Sequence, residues 1–270
     1  MSNILIKSKY RFVPLILIII IIFGIYYFVK NQQVQVEKND TKVQLDANEK
    51  IVKKLGCTRK TRLDNKPPHD RALSLIEEKY KLWEKSGEGK GSWYFFPSEL
   101  VNCIKVIESD VRNKTGAEGH FIFNDSKIKE NYFPITLDKD YSYADDSINS
   151  LILVHEITHV EQYINSLNKS DGLTCIDKEV EAFYAQWKFY GIQFPEARKS
   201  IDYRIENDKD LHPQLQMLSV LKNNFDIDGV STECFYGSGK NDTECIDKYR
   251  KNEIKQILVQ DDFYRTQCKL

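Results

Sequence analysis

The stretch LILVHEITHV, residues 151–160, decides the fold around it and indicates the chemistry of this chain. It contains the pattern H-E-x-x-H inside an apolar run that is long enough for a helix. Residues four apart lie on the same face of a helix, so the imidazoles of His155 and His159 can reach one metal ion. Glu156 follows His155 directly and lies near enough to contact a water bound to that ion. The stretch therefore predicts a zinc site that activates water.

The residues around this motif indicate a buried helix. Asp145, Asp146 and Ser147 offer side chains that can cap its first turn. An apolar stripe lies roughly opposite the histidines and consists of Leu153, Ile157, Val160 and Ile164. A helix this buried should not carry two histidines and a glutamate without partners for them. The alternative is an ordinary core helix with two hydrogen-bonded histidines. Because the chain has only five histidines in 270 residues, the motif favours the metal site.

Two histidines leave a tetrahedral zinc site one protein ligand short, because catalytic zinc sites usually have three. The next helical segment, residues 177–187, has an apolar stripe that is flanked by Glu179 and Glu181 on opposite sides. Periodicity alone does not choose between these carboxylates. Ala185 lies one turn after Glu181, where a second helix can approach closely, so we favour Glu181 and keep Glu179 as the alternative. For either residue the competing interpretation is a solvated helix face.

The block of His155, Glu156 and His159, followed by Glu181 and Ala182, resembles the gluzincin branch of the zinc metallopeptidases. In that group the third ligand is a glutamate on a downstream helix, often followed directly by alanine or glycine. The resemblance covers only residues 147–187. It implies that His155, His159 and Glu181 bind zinc and that Glu156 is the general base.

Two positions depart from the gluzincin pattern. Glu161 occupies a place where longer versions of the signature have an apolar residue. Ala185 stands four residues after Glu181, where the family has an aspartate that holds a ligating histidine in place. Asp177 and Glu161 are the candidates to replace that aspartate. No third histidine follows in the spacing of the metzincins, which disfavours that branch.

The predicted chemistry is the attack of water on a peptide bond. Zinc held by His155, His159 and Glu181 lowers the pKa of a bound water, and Glu156 takes its proton and returns it to the departing amine. A hydrogen-bond donor near the developing oxyanion is also expected. Spacing does not choose among the candidates, which are His120, His212, Tyr184, Tyr190 and Tyr203.

Two functions from different classes follow from this chemistry. We predict a membrane-anchored, zinc-dependent peptidase that acts on peptide or protein substrates. The alternative is a zincin-like domain without turnover, used for binding or assembly at the cell envelope. The presence of Glu156 favours the peptidase, because a purely structural zinc ion has no use for a base beside it. The oligomeric state stays open.

The amino-terminal run Phe12 to Val29 carries no charge and has about the minimum length of a membrane-spanning helix. Three basic residues precede it, whereas Lys30 alone follows closely, so the positive-inside rule places residues 1–11 in the cytoplasm. We predict a retained signal anchor over residues 12–29, a polar stalk over 30–50, and a periplasmic or extracellular catalytic domain over 51–270. The alternative is a cleaved signal peptide, which would also export the domain.

All six cysteines follow the apolar run, which suits up to three disulfides in an oxidising compartment. Cys234 and Cys245 bracket a turn-rich segment and form a plausible local pair. Cys175 lies just before the segment that carries Glu179 and Glu181, so a disulfide there would hold the third ligand's helix in place. Cysteines as zinc ligands are disfavoured, because the sequence has no C-x-x-C pair.

Composition and periodicity set the fold class. The net charge of −1, from 39 basic and 40 acidic residues, gives no argument for binding nucleic acid. The pattern predicts an α+β domain that is mostly helical, with a small β-sheet. Helices are expected from Asp70 to about residue 87 and over 98–112, 211–221 and 245–260. Strands are expected over 93–96, 120–123 and 132–137, and Pro134 places the last at an edge.

Overall fold

The computed structural model describes residues 26, 56–57, 62, 65–86, 98–122, 132–143, 145–167, 172–207, 213–224, 234 and 243–270. The chain divides into two compact units, Met1–Ala47 and Asn48–Leu270. Tyr26 apart, the predicted cytoplasmic segment, anchor and stalk lie outside the described residues, as does the strand predicted over 93–96. None of the helices in the described ranges is both long enough and apolar enough to cross a bilayer.

Helix α1 (Pro67–Ser86) is the first element of the second unit whose bounds are described. Two prolines form its first turn, where their missing N–H groups have no partner in the helix anyway. The helix therefore begins earlier than the predicted start at Asp70. Its inner face buries Leu73, Ile76 and Tyr80, as the sequence pattern predicts.

Three strands follow and form one sheet with the order β1-β3-β2. They are β1 (Ile104–Ser109), β2 (Gly119–Phe121) and β3 (Phe133–Asp138), with the short helix α2 (Val111–Thr115) between the first two. Strand β1 runs parallel to β3, and β2 runs antiparallel to it. The helix predicted over 98–112 is therefore wrong: a short 3-10 helix at Ser98–Cys103 leads into β1, whose buried residues Ile104 and Val106 alternate in the strand period.

The edge position predicted for the proline-containing strand is also wrong, because β3 is the central strand. Its pairing with β2 covers only Ile135 to Leu137, so the ladder on that side does not reach Pro134. On the other side Pro134 lies opposite Lys105 of β1. A proline is tolerated here because the antiparallel ladder with β2 has already ended.

Helix α3 (Asp146–Leu167) carries the H-E-x-x-H motif. The Asp145 side chain caps it by accepting a hydrogen bond from the backbone N–H of Ile148 at 2.9 Å, which confirms the predicted start. The helix packs against α1 on one side and against β2 and β3 on another. It is buried on nearly every face from Ile148 to Val160.

Helix α4 (Cys175–Gly191) packs against α3 and separates two hydrophobic clusters. Ala185 and Phe189 join the larger cluster, which includes residues of α1, the sheet and α3. Val180 and Phe183 join the smaller one, together with residues of three further helices. These are α6 (Pro213–Asn224), α7 (Thr243–Leu258) and α8 (Asp262–Cys268), and α5 (Pro195–Asn207) precedes them. The described domain is thus mostly helical with a small sheet, which confirms the predicted α+β class.

Three disulfides join Cys57 to Cys103, Cys175 to Cys268 and Cys234 to Cys245. The last is the predicted local pair. The second confirms that Cys175 anchors the segment after the motif helix, since it links the first residue of α4 to the last residue of α8. All six cysteines are therefore paired.

Asn65 covers the outer edge of β1 in the way that a neighbouring strand would. Its side chain donates to the backbone carbonyl of Ile104 at 3.0 Å and accepts from the backbone N–H of Val106 at 2.7 Å. Because Asn65 is buried, no water can replace these two bonds. This one side chain therefore joins the segment before α1 to the sheet.

Replacing Asn65 with alanine should lower the free energy of unfolding by about 2–4 kcal/mol, because a buried N–H and a buried C=O both lose their partner. Denaturant unfolding followed by circular dichroism measures the change. The control is Asn252→Ala at an exposed position of α7, which should change stability by less than about 0.5 kcal/mol. Equal stability of the two variants would contradict the role given to Asn65.

Candidate metal centre

The two imidazoles of the motif lie one helical turn apart on α3 and face the same point. Nε2 of His155 and Nε2 of His159 are 3.2 Å apart, and the ring centroids are 4.9 Å apart. Both residues are buried, His155 to 1% exposure and His159 to 8%. The prediction that the i, i+4 spacing brings the two imidazoles together is thus confirmed, and they meet inside the domain.

Helix α4 supplies a carboxylate, that of Glu179, to the same point. Glu179 Oε2 lies 3.4 Å from His155 Nε2, and Glu179 Oε1 lies 3.6 Å from His159 Nε2. Zinc bonds of about 2.0–2.1 Å at tetrahedral angles place neighbouring ligand atoms about 3.3 Å apart. The distance between the two nitrogens matches two corners of a tetrahedral site, and each nitrogen has one carboxylate oxygen of Glu179 at 3.4–3.6 Å. The buried group of His155, His159 and Glu179 could hold a metal ion.

The preference for Glu181 as third member of the group is corrected to Glu179. The two residues lie about 200° apart around the helix, so only one can face the histidines. Ala182 and Gln186 follow Glu179 by one and two turns and are completely buried, which shows that this side of α4 faces the interior. Glu181 instead pairs with Lys251 of α7, whose Nζ lies 2.7 Å from Glu181 Oε1.

Gln162 orients the His159 ring. Its Nε2 donates to the backbone carbonyl of Lys178 at 2.9 Å, so its Oε1 is the atom that faces His159 Nδ1 at 2.9 Å. An amide oxygen only accepts, so Nδ1 carries a proton, and in the neutral ring Nε2 has the lone pair that a metal ion would bind. Gln162 therefore plays the part proposed for Asp177 or Glu161. Gln162 could have been predicted from the sequence, since it lies one turn after His159 on the same helix.

The proposed replacements for that aspartate lie elsewhere. The Asp177 carboxylate accepts a hydrogen bond from Lys255 Nζ at 2.7 Å and another from the Thr174 hydroxyl. Burial raises the pKa of Glu161 well above its ordinary value, and the charge of Glu181 adds to that effect. Neither carboxylate makes a described hydrogen bond to a motif histidine.

The carboxylates make this point of the structure favourable for positive charge. Burial lowers the pKa of His159, but Glu179, with smaller contributions from Glu156 and Gln162, outweighs it and raises the pKa to about 9. Burial acts to raise the pKa of Glu179, yet the two imidazoles hold that pKa well below its ordinary range. The negative charge of the carboxylates raises the pKa of His159, and the positive charge of the imidazoles lowers the pKa of Glu179. The negative charge that favours a protonated imidazole here would also stabilise a bound cation.

Glu156 lies on the side of α3 that faces strand β2, where Gly119 allows a close approach. A Cβ added at Gly119 would lie 3.2 Å from Glu156 Cγ, 3.3 Å from Glu156 Oε1 and 2.8 Å from a methyl group of Leu137. Glu156 itself is only 2% exposed. The backbone of β2 therefore packs directly against the predicted general base. Glycine is required at position 119 because a side chain there would collide with Glu156 and Leu137.

The residues considered as oxyanion donors do not gather at this site. Successive strand residues point to opposite faces, so His120 points away from the face on which Gly119 meets Glu156. The Tyr184 hydroxyl donates to Asp247, and that of Tyr190 donates to Asp202 at 2.6 Å. Tyr203 is 66% exposed, and His212 lies outside the described residues.

Tyr264, on α8, also lies near the group, although no sequence pattern pointed to it. Its ring packs edge-on against Phe183 at 5.4 Å, and Phe183 packs against His155 at 4.5 Å. Burial raises the pKa of Tyr264 well above its ordinary value, and the charges of Glu179, Asp261 and Glu156 raise it further. The phenol therefore stays protonated beside the carboxylates of the group. No local spacing links residue 264 to the motif.

Comparison of the chain with models of protein families, with curated proteins and with solved structures gave no match. The geometry of the site therefore carries the functional argument by itself.

The first prediction from this geometry concerns the third ligand. Glu179→Gln should lower zinc affinity by more than the roughly 10- to 100-fold loss that follows when only a supporting residue is changed. Glu181→Gln is the matched control and should bind zinc like the unchanged chain, because its carboxylate pairs with Lys251. Competition with a chromogenic zinc chelator measures both affinities. The reverse ranking would restore Glu181 as the ligand.

The second prediction concerns the contact between β2 and Glu156. Gly119→Ala should destabilise the domain by about 1–3 kcal/mol, because the added methyl group forces Leu137 and Glu156 to move. Gly191→Ala is the control, since nothing lies within 4 Å of a Cβ at that position. Thermal unfolding of both variants checks the difference. A Gly119→Ala domain as stable as the control would show that β2 does not press on Glu156.

Proposed function

We propose that this chain is a zinc-dependent peptidase anchored to a membrane by residues 12–29, with its catalytic domain outside the cytoplasm. The observation that carries the proposal is the buried group of His155, His159 and Glu179 beside Glu156. Two imidazole nitrogens and one carboxylate oxygen are a ligand set typical of catalytic zinc, and three protein ligands leave a fourth position for water. Glu179 lies on the downstream helix, as the third ligand of the gluzincins does, but Val180 follows it in place of the alanine or glycine frequent in that group.

The residues around the group fit such a metal ion. Gln162 fixes the His159 tautomer so that Nε2 carries the lone pair. Glu179 and Glu156 supply negative charge that balances a divalent cation at a buried point. Zinc is the metal favoured by mixed nitrogen and oxygen ligands in tetrahedral spacing. Once bound, it would supply a polarised water and a Lewis acid for the scissile carbonyl.

In the proposed reaction, Glu156 transfers a proton and the strand next to it positions its carboxylate. Glu156 accepts the proton of the attacking water and returns it to the amine that leaves. Gly119 lets the β2 backbone lie against Glu156, which limits the positions of this carboxylate. A peptide bond is the expected substrate, because its amine is a poor leaving group that departs only when it receives a proton.

The proposed location outside the cytoplasm is supported by the three disulfides and by the uncharged run at residues 12–29. Disulfides persist in oxidising compartments and are rare where the thiol pool is kept reduced. Six cysteines, all paired, fit that environment. The proposal therefore joins a membrane anchor to an exported catalytic domain.

The depth of the site favours a second candidate, a zincin-like domain that binds zinc without turnover. His155, Glu156 and Glu179 are only 1%, 2% and 6% exposed. Structural zinc sites are closed to solvent, whereas catalytic ones keep an open position. In such a domain the metal would join α3 to α4, and the chain would serve in binding or assembly at the envelope.

Glu156→Gln separates the two candidates. The full-length chain, purified in detergent and loaded with one equivalent of zinc, should cleave a mixed peptide library. The variant should keep the zinc and lose about 10²- to 10⁴-fold in rate, because only the proton acceptor has been removed. Mass spectrometry of the products and metal analysis give the two readouts.

Glu196→Gln, at an exposed position of α5, is the control and should cleave like the unchanged chain. Cleavage that survives in Glu156→Gln would overturn Glu156 as the base. Zinc binding without cleavage of any peptide by the unchanged chain would favour the second candidate.

A further inference from the structure

The carboxylate of Glu179 receives a hydrogen bond from the far end of the chain. Nε2 of Gln267, on α8, donates to Glu179 Oε1 at 3.0 Å. The two residues are 88 positions apart in the sequence. The same Oε1 lies 3.6 Å from His159 Nε2, and the other oxygen, Oε2, lies 3.4 Å from His155 Nε2. Ligating carboxylates are usually held by such a bond, because a free carboxylate can rotate either oxygen toward the ion.

Helices α4 and α8 meet along three contacts in matching order. Cys175, Glu179 and Phe183 are each four residues apart on α4 and therefore lie on one face. Opposite them, in reverse order along α8, lie Cys268, Gln267 and Tyr264. The pairs are the disulfide, the hydrogen bond to Glu179 and the edge-on contact of the two rings at 5.4 Å. The two helices are thus in an antiparallel register that places Gln267 on Glu179.

A covalent bond maintains this register. Helix α8 has only 7 residues, and a helix this short is unstable in water without other contacts. Gln267 is itself exposed, so its own hydrogen bond is too weak to hold the helix in place. Asp261 caps the first turn, and the Cys175–Cys268 disulfide fixes the last one. The residue that donates to Glu179 is therefore the direct neighbour of the bridged cysteine.

We propose that Gln267 is a positioning residue for the metal centre: its hydrogen bond to Oε1 fixes the rotation of the Glu179 carboxylate, with Oε2 toward His155 and Oε1 toward His159, and the Cys175–Cys268 disulfide holds Gln267 in place. The inference rests on the proposed metal site. It gives the disulfide a function beyond general stability, because zinc affinity then depends on this bridge and not on the one between Cys234 and Cys245.

The test uses Gln267→Met, which keeps the length of the side chain and removes the donor. Zinc affinity of the full-length chain, from competition with a chromogenic chelator, should fall about 10- to 100-fold. Gln256→Met makes the same chemical change at an exposed position of α7 and should leave the affinity unchanged. A merely structural role would not alter the visible spectrum of the cobalt(II)-loaded protein. We expect that spectrum to change in Gln267→Met, because the carboxylate binds the metal differently.

The disulfide is tested by the double variant Cys175→Ala/Cys268→Ala, with Cys234→Ala/Cys245→Ala as its control. The first should lose zinc affinity by a similar factor, and adding Gln267→Met to it should cause little further loss, because both changes break the same contact. The control pair should bind zinc like the unchanged chain.

Two results would overturn the inference. If Gln267→Met matches the unchanged chain in affinity and cobalt spectrum, the positioning role is wrong while the proposed function stands. If the unchanged chain binds no zinc, both fail together. Should the cysteine variant fail to fold by circular dichroism, the comparison of Gln267→Met with Gln256→Met decides alone.

Discussion

The crossing of α3 and α4 is the constraint on which the rest of the described domain depends. It brings Nε2 of His155, Nε2 of His159 and the carboxylate of Glu179 to within 3.2–3.6 Å of one another. Helix α3 is buried on nearly every face, so its polar side chains cannot use water as a partner. They are tolerated because α4 carries the matching acid. Gln162 on α3 and Gln267 on α8 complete a polar group in which each member supports another.

Local spacing was sufficient to predict what lies on one helix. The H-E-x-x-H pattern places His155 and His159 on one face, and Asp145 caps the helix as expected. The choice between Glu179 and Glu181 depends on which side of α4 meets α3, and a single small residue was a poor guide to that. The strand at Ile104 was misread as helix because its short apolar run fits both periods. Contacts between distant segments, such as that of Gln267 with Glu179, leave no local pattern.

The two acidic residues of α4 next to the site make different contacts, which explains why the sequence favoured Glu181 over Glu179. Glu179 faces α3, whereas Glu181 pairs with Lys251 of α7. The same outer face carries Tyr184 and Lys188, which both bond Asp247 of α7. Burial lowers the pKa of Lys188 to about 8 against the opposing effect of Asp247. This face of α4 docks α7 through polar contacts, and the opposite face forms the site.

A metal ion at this point would do more than supply chemistry, because its ligands come from the helices at the boundary between two hydrophobic clusters. His155 belongs to the helix of the larger cluster, and Glu179 lies on the helix that enters both. An ion that binds only the folded chain stabilises it by about 4.1 kcal/mol at a concentration 1,000 times the dissociation constant. That stabilisation would act at the contact of α3 with α4, whereas the Cys175–Cys268 disulfide secures the neighbouring contact of α4 with α8. A bound metal ion and this disulfide would thus hold α4 from two sides, so the position of Glu179 would depend on both.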